Sequence, residues 1–248
     1  MIIPQLVGHR GYPRHYPENT LVSIEAAVAA GARFVEVDVQ ISRDQVPVLF
    51  HDRGLKRLCG VDGRIQDFRY DELWAFRASE PGKFGDRFND VHITRLAELG
   101  HFLQHRRDVT AFIELKRSSL EHFGVESMLN LVRRALKPAL KQCVLISYAL
   151  EALLTARRNG WRRIGVVIDH WKDRQQELIA AIQPQFLFCD VTDLPREGEL
   201  RLPGMKLVIF EVAEPRVALD LAARGVDFIE TFAVGEMLQE LARPTDTR

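Results

Sequence analysis

Four short polar clusters stand at the ends of apolar runs in this chain. They are His9-Arg10-Gly11 behind Ile2 to Val7, Glu36-x-Asp38 within Arg33 to Val39, His51-Asp52 behind Val46 to Phe50, and Glu114-x-Lys116 closing Thr110 to Leu115. Two imidazoles, His9 and His51, are of the side-chain type that can take up and return a proton near neutral pH. Three carboxylates, Glu36, Asp38 and Glu114, offer hard oxygen ligands, and the lack of histidine or cysteine among these positions points to Mg²⁺ or Ca²⁺ rather than zinc. Arg10 and Lys116 supply fixed positive charge for a phosphate. With one divalent cation, these three acids and two bases leave a single positive charge, which a phosphodiester anion would neutralise. Together the residue types describe metal-assisted phosphoryl transfer, with a base on one side of phosphorus and an acid on the other.

Each cluster alone is ordinary: His-Arg-Gly suits a surface turn, Glu-x-Asp a solvent-facing edge, Glu-x-Lys a surface ion pair. Their common placement at strand ends sets them apart, and the elements that must provide those ends are legible. In Arg33 to Val39 a two-residue period sends Val35, Val37 and Val39 to one face and Glu36 and Asp38 to the other. The strand at 110–116 repeats the device with Glu114 and Lys116. Buried without partners, such carboxylates would cost several kcal/mol, so something positive must meet them. Apolar runs of this kind recur at 2–8, 33–40, 109–116, 143–148, 163–168, 186–190, 206–212 and 226–231, and predict eight strands. Helical spacing appears between them at 20–30, 95–106, 119–137, 149–159, 172–182, 215–224 and 234–242, with Asn19 or Thr20 able to cap the first. The segment 193–203 reads as irregular.

Strict alternation of this kind predicts an α/β fold with parallel strands and crossover helices, a TIM (β/α)8 barrel in one domain over 1–248. One connection breaks the pattern. After the second strand, about 43–92 reads as a β-extension followed by an inserted subdomain, whose Tyr70, Trp74, Phe76, Phe84 and Phe88 suit an ordered lid or substrate flap. Asp52 can orient His51 or cap the next turn. His15 lies close enough to the first loop to touch substrate, whereas Trp161 and Trp171 read as packing residues.

At 248 residues and 46% hydrophobic content the chain can bury a large core. Its 34 basic and 34 acidic residues cancel, which argues against nucleic acid or an anionic membrane as a partner. No window approaches the roughly 18 apolar residues of a membrane span, so stable membrane insertion is not expected. Three cysteines without paired spacing suit free thiols in a reducing compartment, and the uncharged apolar lead into His9 does not read as a signal peptide; both point to the cytoplasm.

The full pattern resembles the glycerophosphodiester phosphodiesterase family: His9-Arg10-Gly11, Pro17-Glu18-Asn19-Thr20, Ala26 to Gly31, Glu36-Val37-Asp38-Val39, Asp44, His51-Asp52, Leu55 with Arg57, and Ile113-Glu114-Leu115-Lys116. The resemblance implies a TIM barrel with an insertion after the second strand, a divalent metal at Glu36, Asp38 and Glu114, and a histidine pair at His9 and His51. It also implies hydrolysis of a small glycerophosphodiester to sn-glycerol 3-phosphate and an alcohol, with Arg10 and Lys116 on the phosphate. In that mechanism His9 is assigned as base and His51 as acid, the attacking oxygen being water or the substrate's own hydroxyl. The chain departs from the family pattern at Phe210-Glu211-Val212-Ala213, at Glu230-Thr231-Phe232, at Leu58-Cys59 and at Thr94-Arg95-Leu96. Inward-facing acid at Glu211 or Glu230 would favour a cationic head group. A lysophospholipase D-like enzyme would need an exposed apolar groove, for which Phe84, Phe88 and Phe232 are candidates. A non-catalytic barrel that binds a phosphorylated metabolite would have no need of the histidine pair.

Overall fold

The eight apolar runs become the parallel strands of a closed barrel in the computed structural model, which describes residues 2–243. The strands are β1 (Gln5–Gly8), β2 (Phe34–Ile41), β3 (Pro47–Leu49), β4 (Thr110–Leu115), β5 (Cys143–Ser147), β6 (Ile164–Val167), β7 (Phe186–Asp190), β8 (Lys206–Phe210) and β9 (Phe228–Thr231). All except β3 belong to the barrel. It closes because β1 pairs in parallel with β2, Val7 opposite Phe34, and with β9, Gln5 opposite Phe228. β3 lies antiparallel on the end of β2, with Val39 opposite Leu49, and is the predicted β-extension. This is a TIM barrel.

Helix α1 (Leu21–Ala29) follows β1, and Thr20 caps it by accepting a hydrogen bond from Ser23 N at 3.3 Å. Short helices α2 (Lys56–Cys59), α3 (Tyr70–Ala75) and α4 (Pro81–Phe84) occupy the insertion. Around the rest of the barrel run α5 (Leu96–Gln104), α6 (Arg117–Phe123), α7 (Val125–Ala135), α8 (Leu150–Arg158), α9 (Glu177–Ile182), α10 (Pro215–Ala223) and α11 (Val234–Leu241). The single helix expected at 119–137 is two helices, α6 and α7. They meet at Gly124, whose φ of 79° lies outside the helical range and is freely available only to glycine. The 193–203 segment is irregular as expected, following a single 3₁₀ turn at Val191–Asp193.

Two apolar layers separate cleanly. Val35, Val37 and Val39 face outward and are fully buried against the helices, together with Ile24, Leu99, Val132 and Leu153. Inside the barrel, Val7, Phe112, Val144, Ile146, Val167, Phe186, Phe188, Val208 and Phe228 fill the floor. A barrel interior is ordinarily dominated by branched aliphatics; here phenylalanines share it with them, Phe112 lying edge-on to Phe186 at 5.0 Å and to Phe188 at 5.1 Å. Gly165 makes the room. A β-carbon there would stand 2.9 Å from Phe188 Cε2, 3.0 Å from Ile146 Cγ2 and 3.1 Å from Phe186 Cβ. Gly165→Ala is therefore expected to destabilise the protein by about 1–3 kcal/mol through overpacking, a loss that urea denaturation would register; unchanged stability would mean that the floor has slack.

The insertion carries a core of its own. Val48, Phe50, Leu55, Leu58, Ile65, Leu73, Ala78 and Ile93 are buried together, with Phe68 edge-on to Phe76 at 5.1 Å. Most of its aromatics are packing groups. The insertion also leans on the first loop, where Lys83 Nζ donates to the Pro13 carbonyl at 2.6 Å.

Candidate functional site

The C-terminal end of the barrel collects the charged residues. On β2 and β4, Asp38 lies directly opposite Glu114, and Glu36 sits two residues below Asp38 on the same inward face. Glu36, Asp38 and Glu114 each bring one oxygen within 4.8 Å of the others, a group that could hold a metal ion. Lys116 Nζ joins them at 3.2 Å from Asp38 Oδ1 and 2.8 Å from Glu114 Oε1. Burial opposes ionisation of Asp38, but Lys116, Arg10 and His51 outweigh it and hold the carboxyl below the usual range. Glu36 goes the other way: burial, then the charges of Asp38, Glu230 and Glu114, push it well above the usual range, and its buried Oε1 has no partner. An orphaned carboxylate oxygen in a cluster of acids is what a hard cation would complete.

The loop after β1 is held in shape by backbone conformation and by hydrogen bonds to β2. Arg10 and Asn19 both have positive φ, 56° and 55°, and the Asn19 amide donates to the Arg10 carbonyl at 3.0 Å. Arg10 N donates to Glu36 Oε2 at 3.2 Å, and its guanidinium reaches Glu18 Oε1 at 3.0 Å and approaches Asp38 Oδ2 at 3.3 Å. Gly11, with φ of 92°, packs so tightly on α1 that a β-carbon would lie 2.5 Å from Ser23 Oγ. Of the two expected caps, Thr20 takes the helix. Asn19 turns inward instead, donating from Nδ2 to Asp38 Oδ2 at 2.8 Å and accepting from Asp38 N at 3.0 Å.

His51 enters from the far side, behind β3. The Gln40 side chain of β2 pins its loop by donating to the carbonyls of Phe50, His51 and Asp52 at 3.0, 3.3 and 2.7 Å. His51 Nδ1 lies 2.9 Å from Asp52 Oδ1, so Asp52 orients the ring rather than capping a turn. Arg57 clamps Asp52 with Nε and NH2 at 2.7 and 2.9 Å, and its guanidinium also reaches Glu18 at 2.7 Å and Glu80 at 3.3 Å. His51 and then Arg57 hold the Asp52 carboxyl below its usual range. Burial resists ionisation of Glu18, but Arg57 and Arg10 prevail there as well.

His9 closes the ring from β1. Its Nδ1 lies 2.9 Å from Glu211 Oε2, its Nε2 3.8 Å from Glu36 Oε2, and Phe232 stacks on the imidazole with centroids 4.6 Å apart. Burial lowers the pKa of His9 despite Glu211. One more acid faces inward. Glu230 of β9 is 2% exposed with an unpartnered Oε1, and burial together with Glu211, Glu114 and Asp38 pushes it well above the carboxylate range.

The structure thus brings His9, Arg10, Glu36, Asp38, His51, Glu114 and Lys116 to one barrel mouth. The charge balance read from three acids and two bases omits Glu230, so the site is more acidic than it foresaw. The period-two run Phe228-Ile229-Glu230 carried the signal, since it puts Glu230 on the same face as the floor residue Phe228. Glu18, Arg57 and Glu80 form a support that spacing alone does not show. His15 is drawn off the first loop to Glu236 of α11 at 2.6 Å. Trp161 is buried and Trp171 packs on the same outer layer. The three aromatics named for the groove of a lysophospholipase D-like enzyme are otherwise engaged: Phe88 is buried against Phe84 and Tyr16, and Phe232 covers His9.

Comparison with known proteins gives a consistent result. A family model described as the Glycerophosphoryl diester phosphodiesterase family matches residues 9–175. The chain is 34% identical over 122 residues to a glycerophosphodiester phosphodiesterase of Bacillus altitudinis, a match covering 49% of either chain. It is 28% identical to a glycerophosphoinositol inositolphosphodiesterase of Mus musculus over 97% of this chain and 48% of that one. The chain spans about half the length of the curated relatives it matches. Among solved structures, an Oleispira antarctica phosphodiesterase in complex with the product sn-glycerol-3-phosphate superposes with a TM-score of 0.84 at 23% identity, covering 97% of this chain and 98% of that one. This last likeness is one of fold. Among the described residues no helix is long and apolar enough to cross a membrane.

Proposed function

The chain belongs to the glycerophosphoryl diester phosphodiesterase family, and from that premise we propose that it hydrolyses a small glycerophosphodiester to sn-glycerol 3-phosphate and an alcohol. The observation that carries the reading is the meeting of two carboxylate-held imidazoles, two half-buried cations and a carboxylate trio with an unpartnered oxygen at one barrel mouth. The sn-glycerol-3-phosphate bound by the Oleispira antarctica phosphodiesterase supports the choice of product.

Glu36, Asp38 and Glu114 would hold one divalent cation, Mg²⁺ or Ca²⁺, which when bound supplies Lewis-acid neutralisation of a phosphate oxygen. Arg10 and Lys116, both on the acid cluster, lie where they can meet the remaining phosphate charge as it grows toward the transition state. His9 takes the proton of the attacking oxygen at Nε2. His51, its Nδ1 held by Asp52, gives a proton to the leaving alcohol. The three free thiols, two of them buried, fit a cytoplasmic setting.

Release of sn-glycerol 3-phosphate from glycerophosphocholine and glycerophosphoethanolamine, measured with Mg²⁺, Ca²⁺ and chelator beside a His9→Ala control, tests the reading. Metal-dependent release that the variant lacks is expected. A folded protein that releases nothing from either diester with either metal would overturn the substrate assignment.

A further inference from the structure

Two of the positions at which this chain leaves its family's pattern, Glu211 at the end of β8 and Phe232 at the end of β9, converge on one side chain, His9. We propose that Glu211 is a positioning residue that fixes the tautomer and orientation of His9, with Phe232 as its anchor and cover. The inference rests on the reading of His9 as the base.

The contacts form a closed figure. Glu211 Oε2 is 2.9 Å from His9 Nδ1, while Glu211 Oε1 accepts from the Phe232 amide at 2.8 Å. The Phe232 ring lies over the imidazole with an interplanar angle of 18°. Both oxygens of Glu211 are therefore engaged, one holding the strand end that carries the stacking ring and the other holding the histidine. A carboxylate accepts and does not donate, so the neutral imidazole beside it carries its hydrogen on Nδ1. The lone pair is left on Nε2, the nitrogen turned toward Glu36. With the opposite tautomer the same ring would face the site with N–H and could not act as a base.

In the step this serves, the attacking oxygen forms its bond to phosphorus while its proton passes to His9 Nε2. The bond from phosphorus to the alcohol oxygen breaks, and that oxygen takes the proton of His51. His9 leaves the step as an imidazolium, its Nδ1–H still directed at Glu211. Proton exchange with water then restores both rings.

Glu211→Gln is the informative substitution. One amide has a single carbonyl oxygen for two donors; kept on the Phe232 amide, it turns its NH₂ to His9 and selects the other tautomer. In the Mg²⁺-loaded protein, ¹⁵N-histidine NMR at alkaline pH should show His9 with hydrogen on Nδ1 in the parent chain and on Nε2 in Glu211→Gln, whether or not the diesterase reading holds. For activity, Glu211→Gln should lower kcat on the order of 10²-fold with KM nearly unchanged. Glu211→Ala should cost a similar factor in the parent chain and nothing further when His9 is already alanine. An Nε2–H tautomer in the parent chain, or one that Glu211→Gln leaves unchanged, would overturn the proposal. So would a loss on Glu211→Ala that persists in the His9→Ala background, or that appears only with cationic head groups, because Glu211 would then act on substrate rather than through His9. A protein inactive on every diester but showing the expected tautomer switch would overturn the diesterase reading and leave the positioning role intact.

Discussion

Replacing His51 with alanine is expected to divide substrates by their leaving groups. On glycerophosphocholine, whose departing alkoxide needs a proton, kcat/KM should fall by about 10²–10⁴-fold, the usual worth of a positioned general acid. On a p-nitrophenyl phosphodiester of glycerol the nitrophenolate leaves unprotonated, and the fall should be under about tenfold. His9→Ala should cost both substrates alike, since each needs its attacking oxygen activated. The assignment has a structural asymmetry behind it. His51 is held by Asp52, which Arg57 grips in turn, whereas His9 is more deeply enclosed and has its pKa lowered by burial, as suits a ring that begins neutral. Equal losses on both substrates for His51→Ala would refute the division of roles.

Removal of the divalent cation is expected to have an effect at least as large, and to be visible in stability as well as in rate. Lewis-acid charge stabilisation worth several kcal/mol corresponds to a rate loss of roughly 10³-fold or more in chelator. The stability effect follows from the four inward carboxyls of Glu36, Asp38, Glu114 and Glu230, which among the described residues face Arg10 and Lys116 as fixed cations. Glu230 carries its proton to higher pH in the folded chain than in the unfolded one, so in the chelated protein its contribution falls as pH rises above about 4.5. Asp52 and Glu18 behave oppositely. Their folded values lie below the unfolded ones, so their contribution is present above the ordinary carboxylate range and disappears as pH drops through it. The chelated protein should thus be most stable in mildly acidic buffer and lose stability toward neutrality. Mg²⁺ or Ca²⁺ should raise the unfolding midpoint most at the alkaline end, and Glu230→Gln should do so without metal. A midpoint indifferent to metal and to Glu230→Gln at pH 8 would count against a cation in this acid cluster.

How far the sequence is readable depends on the range of the interaction that sets each feature. The barrel strands are legible because each is a short apolar run between turn residues, and the inward direction of Glu36, Asp38 and Glu114 follows from the two-residue period of single strands. Gly124 is a local signal too, though the helical spacing on both sides of it reads as one helix. The insertion's interior is less accessible: Leu55, Leu58, Ile65 and Leu73 come from several short helices and turns, and no single period links them. The least accessible features join distant segments. Glu211 and Phe232 register in the sequence only as departures from a pattern, because their shared target lies more than two hundred positions away at His9. Arg57 likewise enters the sequence only as a member of a pattern, its partners unnamed until Asp52, Glu18 and Glu80 are seen around it.

Arg57 has an evolutionary consequence. Its guanidinium joins the loop that bears His51 to Glu18 of the first loop, so two stretches of chain distant in sequence meet through one side chain. A chimera that takes residues 43–92 from a relative imports His51, Asp52 and Arg57 together, and must meet them with a carboxylate at position 18 and the Gln40 side chain that pins the His51 loop. A change at any one of Glu18, Asp52 and Arg57 must therefore be matched at the other two, so His51 and its clamp are exchanged as a unit.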